Sequence, residues 1–290
     1  MEFRKLIHQI GIGLSSLVSI LAGHSLHASN LEMKDISKKK LRPASALGSE
    51  KDSASSAAPG QLENPPDRGE DRYPWKRQIV TTTFWIGETP TENNPVPNHK
   101  SSWDTRWAEN YGGTDTPNRA KRSADFRPAA FTPGQNPFYV ALPYNDKMRE
   151  GHKPEASKVI PWFAEAYAGP GKSVCKDRWI AIRFKNRICY AQWEDVGPFR
   201  TDHWQYVFGD ERPRPNLNRG AGLDVSPAVR DYLGMADTDV TDWKFVEFAD
   251  IPQGPWARYG GNNTFVIHRL ASEKEKMAIL ESASRPNRGE

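Results

Sequence analysis

Large apolar side chains fall into two zones of the chain, separated by a long polar stretch. The first zone spans residues 6–23 and holds Ile10, Ile12, Leu14, Leu17, Val18, Ile20 and Leu21 behind the positive pair Arg4 and Lys5. A charged start, a short apolar run and a small residue, Ala28, just before Ser29 follow the order of an export signal. Residues 1–28 therefore read as a signal peptide, with an uncleaved membrane anchor as the alternative. Either reading puts the rest of the chain outside the cytoplasm, in the periplasm or the extracellular medium. Residues 29–72 consist mostly of Ser, Ala, Lys, Glu, Pro and Gly, as in Ser53-Ala54-Ser55-Ser56-Ala57-Ala58-Pro59-Gly60. Such a segment buries too little surface to offset about 1–2 kcal/mol of backbone entropy per residue, and a disordered linker is expected.

The second zone starts near Tyr73 and carries strand-like periodicity. Residues 79–86 (Ile-Val-Thr-Thr-Thr-Phe-Trp-Ile) are β-branched and aromatic and stop at Gly87, a strand signal. Residues 89–135 are rich in Asn, Pro, Gly and Thr. That is long for a loop without packing of its own, so an insertion held by Trp103 and Trp107 is predicted. A second strand is expected at 138–143 and a short helix at 160–167. Trp179 to Phe184, a turn at Lys185-Asn186 and Arg187 to Trp193 form the clearest hairpin. Residues 222–234 predict a strand end followed by a helix, with Ser226 as N-cap, Pro227 in the first turn and Gly234 as C-cap. Residues 243–248 supply a closing strand. One domain is assigned to 73–268 and a C-terminal tail to 269–290, with no internal repeat.

Composition sharpens this division. All 10 Trp lie between Trp75 and Trp256, and of the Phe, Tyr and Trp residues only Phe3 precedes Tyr73. The core material is therefore confined to the second zone. Lys+Arg 40 against Asp+Glu 36 leaves a net charge of +4, and Lys38-Lys39-Lys40 is the one basic block, which argues against nucleic acid as a partner. No second apolar run approaches the length of a membrane span, which excludes a multi-span membrane protein. Cys175 and Cys189 flank the hairpin, and in an exported chain such a pair is expected to form a disulfide, with two buried thiols as the alternative. The seven His show no ligand spacing, so neither a metal nor another cofactor is expected. Asn262-Asn263-Thr264 matches a glycosylation sequon.

Two short segments carry candidate chemistry. Asp195-Val196-Gly197-Pro198-Phe199, then Gly222-Leu223-Asp224-Val225-Ser226-Pro227-Ala228 with Leu233-Gly234-Met235, resemble the paired signature of the rare lipoprotein A-like lytic transglycosylases; expansins share the second half. The resemblance implies a mainly β fold, a six-stranded double-psi β-barrel with long loops and a few short helices behind the disordered leader. It implies action on cell-wall polysaccharide, the glycan strands of peptidoglycan, by lytic transglycosylation. In that family an acid protonates the glycosidic oxygen and the sugar's own 6-hydroxyl closes on the anomeric carbon. The acid's place falls on Asp224, and Asp195 is the natural second carboxylate to polarise or hydrogen-bond it. Without the resemblance, Asp224 reads as a backbone acceptor at a helix start and Asp195 as a turn former.

Neighbouring positions complete the expectation. Glu194 and Asp195 alternate along a strand, so one faces the groove, and the family match favours Asp195. Thr82 or Thr83 takes the place where expansins carry a Thr near their Asp; Thr83 is counted with the substrate-binding residues. Phe199, His203, Trp204 and Tyr206 cluster after the first Asp and, with Trp85, offer rings on which sugar faces stack. The chain departs from the family in having Val196 where the family has Arg and Gly220-Ala221-Gly222-Leu223 before the second motif. The Glu and His that transglycosylases carry upstream are not evident at 138–143. The alternative function is a non-catalytic, expansin-like module that binds and loosens polysaccharide.

Overall fold

A computed structural model describes residues 72–92 and 94–284. The predicted signal peptide, the linker up to residue 71 and the last six residues of the tail lie outside the described residues. Six strands close into a barrel in the order β1-β5-β2-β4-β3-β6. They are β1 (Lys76–Thr83), β2 (Tyr139–Leu142), β3 (Trp179–Phe184), β4 (Arg187–Val196), β5 (Leu223–Val225) and β6 (Thr238–Phe245). Pairs β1/β5 and β2/β4 are parallel; β1/β6, β2/β5, β3/β4 and β3/β6 are antiparallel. Exchanging β1 with β4, β2 with β5 and β3 with β6 maps every pairing onto another of the same sense. Each of the six pairings joins a strand of the first three to a strand of the last three, so the barrel is two interlocked three-strand halves, and the antiparallel β2/β5 and β3/β6 pairs map onto themselves.

Alternation along the strands sorts side chains into two apolar groups. Val140, Leu142, Leu223 and Val225 join the main core with Trp162, Trp193, Trp243, Tyr144 and Tyr206. Tyr139 and Ala141 face the other way, into a second cluster with Phe84, Ile86, Trp107 and Tyr111. Asp224, between Leu223 and Val225, turns to this second side by the same period of two. The insertion supplies the cover. Helix α1 (Trp107–Tyr111) lays Trp107 against Tyr139 with ring centroids 5.3 Å apart. The Tyr139 hydroxyl donates to Asp115 at 2.9 Å, and Asp115 is ion-paired with the equally buried Arg122 at 2.5 Å. Trp103 stands edge-on to Trp193 at 5.6 Å and its indole N–H donates to Asn145 at 2.9 Å. Both tryptophans of the insertion thus pack on aromatic residues of the barrel strands.

The further α-helices among the described residues are α2 (Ala156–Val159), α3 (Phe163–Ala166), α4 (Trp204–Val207), α5 (Pro227–Leu233) and α6 (Thr264–Ser284). In α5 the Ser226 hydroxyl accepts from the Val229 N–H and Gly234 ends the helix at φ 74°. Among the described residues no helix is long and apolar enough to cross a membrane.

Three expectations are corrected. The first strand lies three residues earlier than 79–86: its register ends at Thr83 opposite Val225, the last residue of β5, and beyond it the chain turns, with the Glu88 N–H bonding the Trp85 carbonyl at 3.1 Å. The closing strand is 238–245, not 243–248. Cys175 and Cys189 are free, buried thiols rather than a disulfide. The Asp177 N–H bonds the Trp193 carbonyl at 3.0 Å, which sets the Cys175 loop beside Trp193. Cys189 pairs with Ile182, four residues down β4, roughly 13 Å away at about 3.3 Å per residue, whereas bridged Cα atoms stand about 4.4–6.8 Å apart. In the sequon, the Asn262 carboxamide donates to Glu194 at 3.0 Å and accepts from the Asn136 N–H at 2.8 Å, so both ends of that amide are engaged.

Candidate functional site

Strand register assembles the site. Ala141 on β2 is the partner of Asp195 on β4 and of Asp224 on β5; Asp224 is the partner of Thr82 on β1, and Thr82 of Thr238 on β6. Paired residues point to the same face, so Asp195, Ala141, Asp224, Thr82 and Thr238 form a row across five strands. A bulge puts Asp195 in this row: Val140 pairs with Trp193 and Ala141 with Asp195, which leaves Glu194 as the extra residue. Bulges commonly re-aim a side chain in this way. Glu194 points elsewhere and pairs with Lys176 at 3.0 Å. The row forms the floor of a groove of about 750 Å³. One wall is the insertion segment from Asn94 to Ser102 together with Glu88 and Thr91, and the other contains Gly197, Pro198, Phe199 and Arg200.

The groove is shaped to leave room beside Asp224. A Cβ on Gly197 would stand 3.4 Å from Asp224 Oδ2 and 3.8 Å from the Ala141 methyl. Two minimal side chains therefore flank the carboxyl. The Thr82 hydroxyl donates to Asp224 Oδ1. Asp224 is half-buried and its pKa is pushed up to about 7, chiefly by desolvation, with the charges of Glu88 and Asp195 adding to the shift and the Thr82 hydrogen bond opposing it. Near neutral pH this carboxyl is divided between acid and base forms.

Asp195 is more enclosed. Its Oδ1 accepts from the Ser102 backbone N–H at 2.8 Å, and burial raises its pKa to about 6 against the hydrogen bonds from Ser102 and Val196. Glu88, which the sequence did not single out, is a third carboxyl of the groove. Asn94 and Asn98 both donate to its Oε2 at 2.9 Å, and burial again raises its pKa. Its one sequence signal is its place directly after Gly87, where the β-branched and aromatic run 79–86 stops. Among the described residues no group of three or more His, Cys, Asp or Glu side chains is placed to hold a metal ion.

The other expected residues divide between groove and core. Thr83 lines the groove, and its buried hydroxyl lacks a protein partner; it is Thr82, not Thr83, that bonds Asp224. Phe199 lines the groove at 43% exposure. His203 is buried, with Nε2 3.0 Å from Glu211. Tyr206 is fully buried: its hydroxyl donates to the Gly222 carbonyl at 3.1 Å and accepts from the Trp243 indole at 2.8 Å. Trp204 packs on the main core. Trp85 is half-buried and outside the groove lining. The expected cluster of sugar-stacking rings after Asp195 is therefore mostly barrel core. Phe84 and Phe199 are the only Phe, Tyr or Trp among the described lining residues. Comparison with protein-family models and with curated proteins returns no match to this chain.

Proposed function

We propose that this protein cleaves cell-wall glycan as a peptidoglycan lytic transglycosylase built on a double-psi β-barrel, with Asp224 as general acid and base. The observation that carries the reading is Asp224 itself: a carboxyl at the floor of an open groove, held near half-protonation at neutral pH, with space beside it. The two-fold exchange of strand pairings, with its two parallel pairs, supports the double-psi assignment. In the acid form Asp224 gives its proton to the glycosidic oxygen as the bond to the anomeric carbon breaks. The sugar's 6-hydroxyl then attacks that carbon and returns its proton to the Asp224 carboxylate, leaving a 1,6-anhydro end and a restored acid. One carboxyl suffices, whereas hydrolysis usually uses two. Thr82 fixes the orientation of the Asp224 carboxyl, and the charges of Glu88 and Asp195 keep its proton from leaving early. An expansin-like binding module needs a line of exposed rings; the groove offers one, Phe199, which favours the enzyme. On this reading the protein works outside the cytoplasm.

The test is to incubate the purified protein with intact and with peptide-free peptidoglycan and to analyse soluble products by mass. Fragments ending in 1,6-anhydro sugar, absent with Asp224→Asn, are expected. Protein that pellets with the wall and releases no fragment rules the enzyme out.

A further inference from the structure

Asp195 faces the same groove as Asp224 yet has different work. Ser101 to Asp104 form a tight turn in which the Ser101 N–H bonds the Asp104 carbonyl at 2.9 Å, and the N–H groups of Trp103 and Asp104 donate to Ser101 Oγ at 3.2 and 3.0 Å. The Ser102 N–H is left over, and Asp195 Oδ1 receives it at 2.8 Å. The next residue, Trp103, lies edge-on against Trp193, two positions before Asp195 on β4. The end of the insertion wall is thus fastened to one strand by a ring contact and one charged hydrogen bond. Asp195 is 9% exposed, so it presents little surface to a ligand. It stands across Ala141 from Asp224, two strand spacings or roughly 10 Å away.

Resting on the Asp224 reading above, we propose that Asp195 is a positioning residue: its carboxylate locks the 94–102 wall to the barrel at Ser102 and so fixes the width of the groove opposite Asp224, without itself transferring a proton. A carboxylate suits this task because an ionised acceptor binds an N–H more strongly than a neutral one. A wall left loose still allows proton transfer at Asp224 but holds the glycan less well, so the cost falls on KM.

Three variants test this, with amide hydrogen exchange at Ser102 and steady-state cleavage of peptide-free peptidoglycan strands as readouts. Asp195→Ala is expected to speed Ser102 exchange by about 100-fold as the wall opens locally. It should raise KM by about 10-fold, while kcat compared at the top of each protein's pH profile, which takes out the effect of the lost charge on Asp224, should stay within about 3-fold. Asp195→Asn keeps an acceptor oxygen and should restore most of the protection and the KM. Ser102→Pro removes the donor while leaving Asp195 intact, and should reproduce the KM of Asp195→Ala. The proposal is overturned if Ser102 stays protected in Asp195→Ala, or if Asp195→Asn loses kcat as deeply as Asp224→Asn while Ser102 remains protected. Should the wild-type protein yield no anhydro product, the proposed function falls, and the exchange data alone still decide the lock.

Discussion

The two halves of the barrel share one pattern of pairing and differ in what they place on it. At the β2/β5 pair, which the exchange of halves maps onto itself, the first half contributes Ala141 and the second Asp224. One step outward on each side, β1 contributes Thr82 and β4 contributes Asp195. Equivalent positions thus carry a methyl against a carboxyl and a hydroxyl against a carboxyl. The acid is placed where the small residue of its twin leaves room, and the hydroxyl of one flank orients it while the carboxylate of the other opposes its ionisation. A symmetric scaffold becomes a site by breaking its symmetry at four side chains.

Removing the difference at the centre should have the largest effect. Asp224→Asn is expected to lower glycan cleavage by about 1,000-fold or more, read as the rate of 1,6-anhydro product formation. It should also stabilise the fold at alkaline pH. The native carboxyl holds its proton up to about 7, while the unfolded chain releases it from about 3.8, so the folded state binds more protons in that window. Stability therefore falls as pH rises from about 4 to 7 and then levels off. At about 1.4 kcal/mol per pH unit, the variant should gain up to about 4 kcal/mol at pH 8 and nothing below pH 4, measured by urea unfolding.

Making the centre symmetric the other way is the next largest change. Ala141→Asp puts a second carboxyl about 5 Å from Asp224, on a residue 1% exposed beside Phe84 and Tyr139. Stability at pH 8 should drop by roughly 2–4 kcal/mol, and the loss should shrink in acid, where both groups hold protons. Thr82→Val, a change on the flank, removes the donor that favours the Asp224 carboxylate. A hydrogen bond to a charged group contributes about 1.5–3 kcal/mol, so the alkaline limb of kcat/KM, set near 7 by the loss of the acid form, should move up by about one to two pH units. The smallest effect lies outside the mirrored row: Phe199→Ala should raise KM about 3-fold with an unchanged melting temperature, because an exposed ring supports the ligand and not the fold.

Local chemistry made part of this legible in advance. The 179–193 hairpin and the caps of α5 follow from alternation and from Ser226, Pro227 and Gly234, signals contained within a few residues. The closing strand was hidden because its start, Thr238 to Asp242, is polar; Asp242 is tolerated there by its 2.7 Å bond to Arg183 on β3. The two Asp motifs pointed to the groove, but choosing between Thr82 and Thr83 needs the β1/β5 register, since one residue of slip flips every side chain. Glu88 escaped because its link to Asp224 exists only through that same non-local pairing. His203, Trp204 and Tyr206 misled because nearness in sequence to Asp195 is not nearness in space: past Phe199 the chain turns back and α4 delivers these residues to the core.

The two unbridged thiols have a practical consequence. Cys175 and Cys189 are completely shielded, and burial raises both pKa values far above the ordinary thiol range, so an alkylating reagent finds neither while the barrel is closed. Their labelling rate in native buffer is a built-in clock for barrel opening. The same absence of a cross-link frees refolding from any need for an oxidant, and a reducing agent should leave the melting curve where it was.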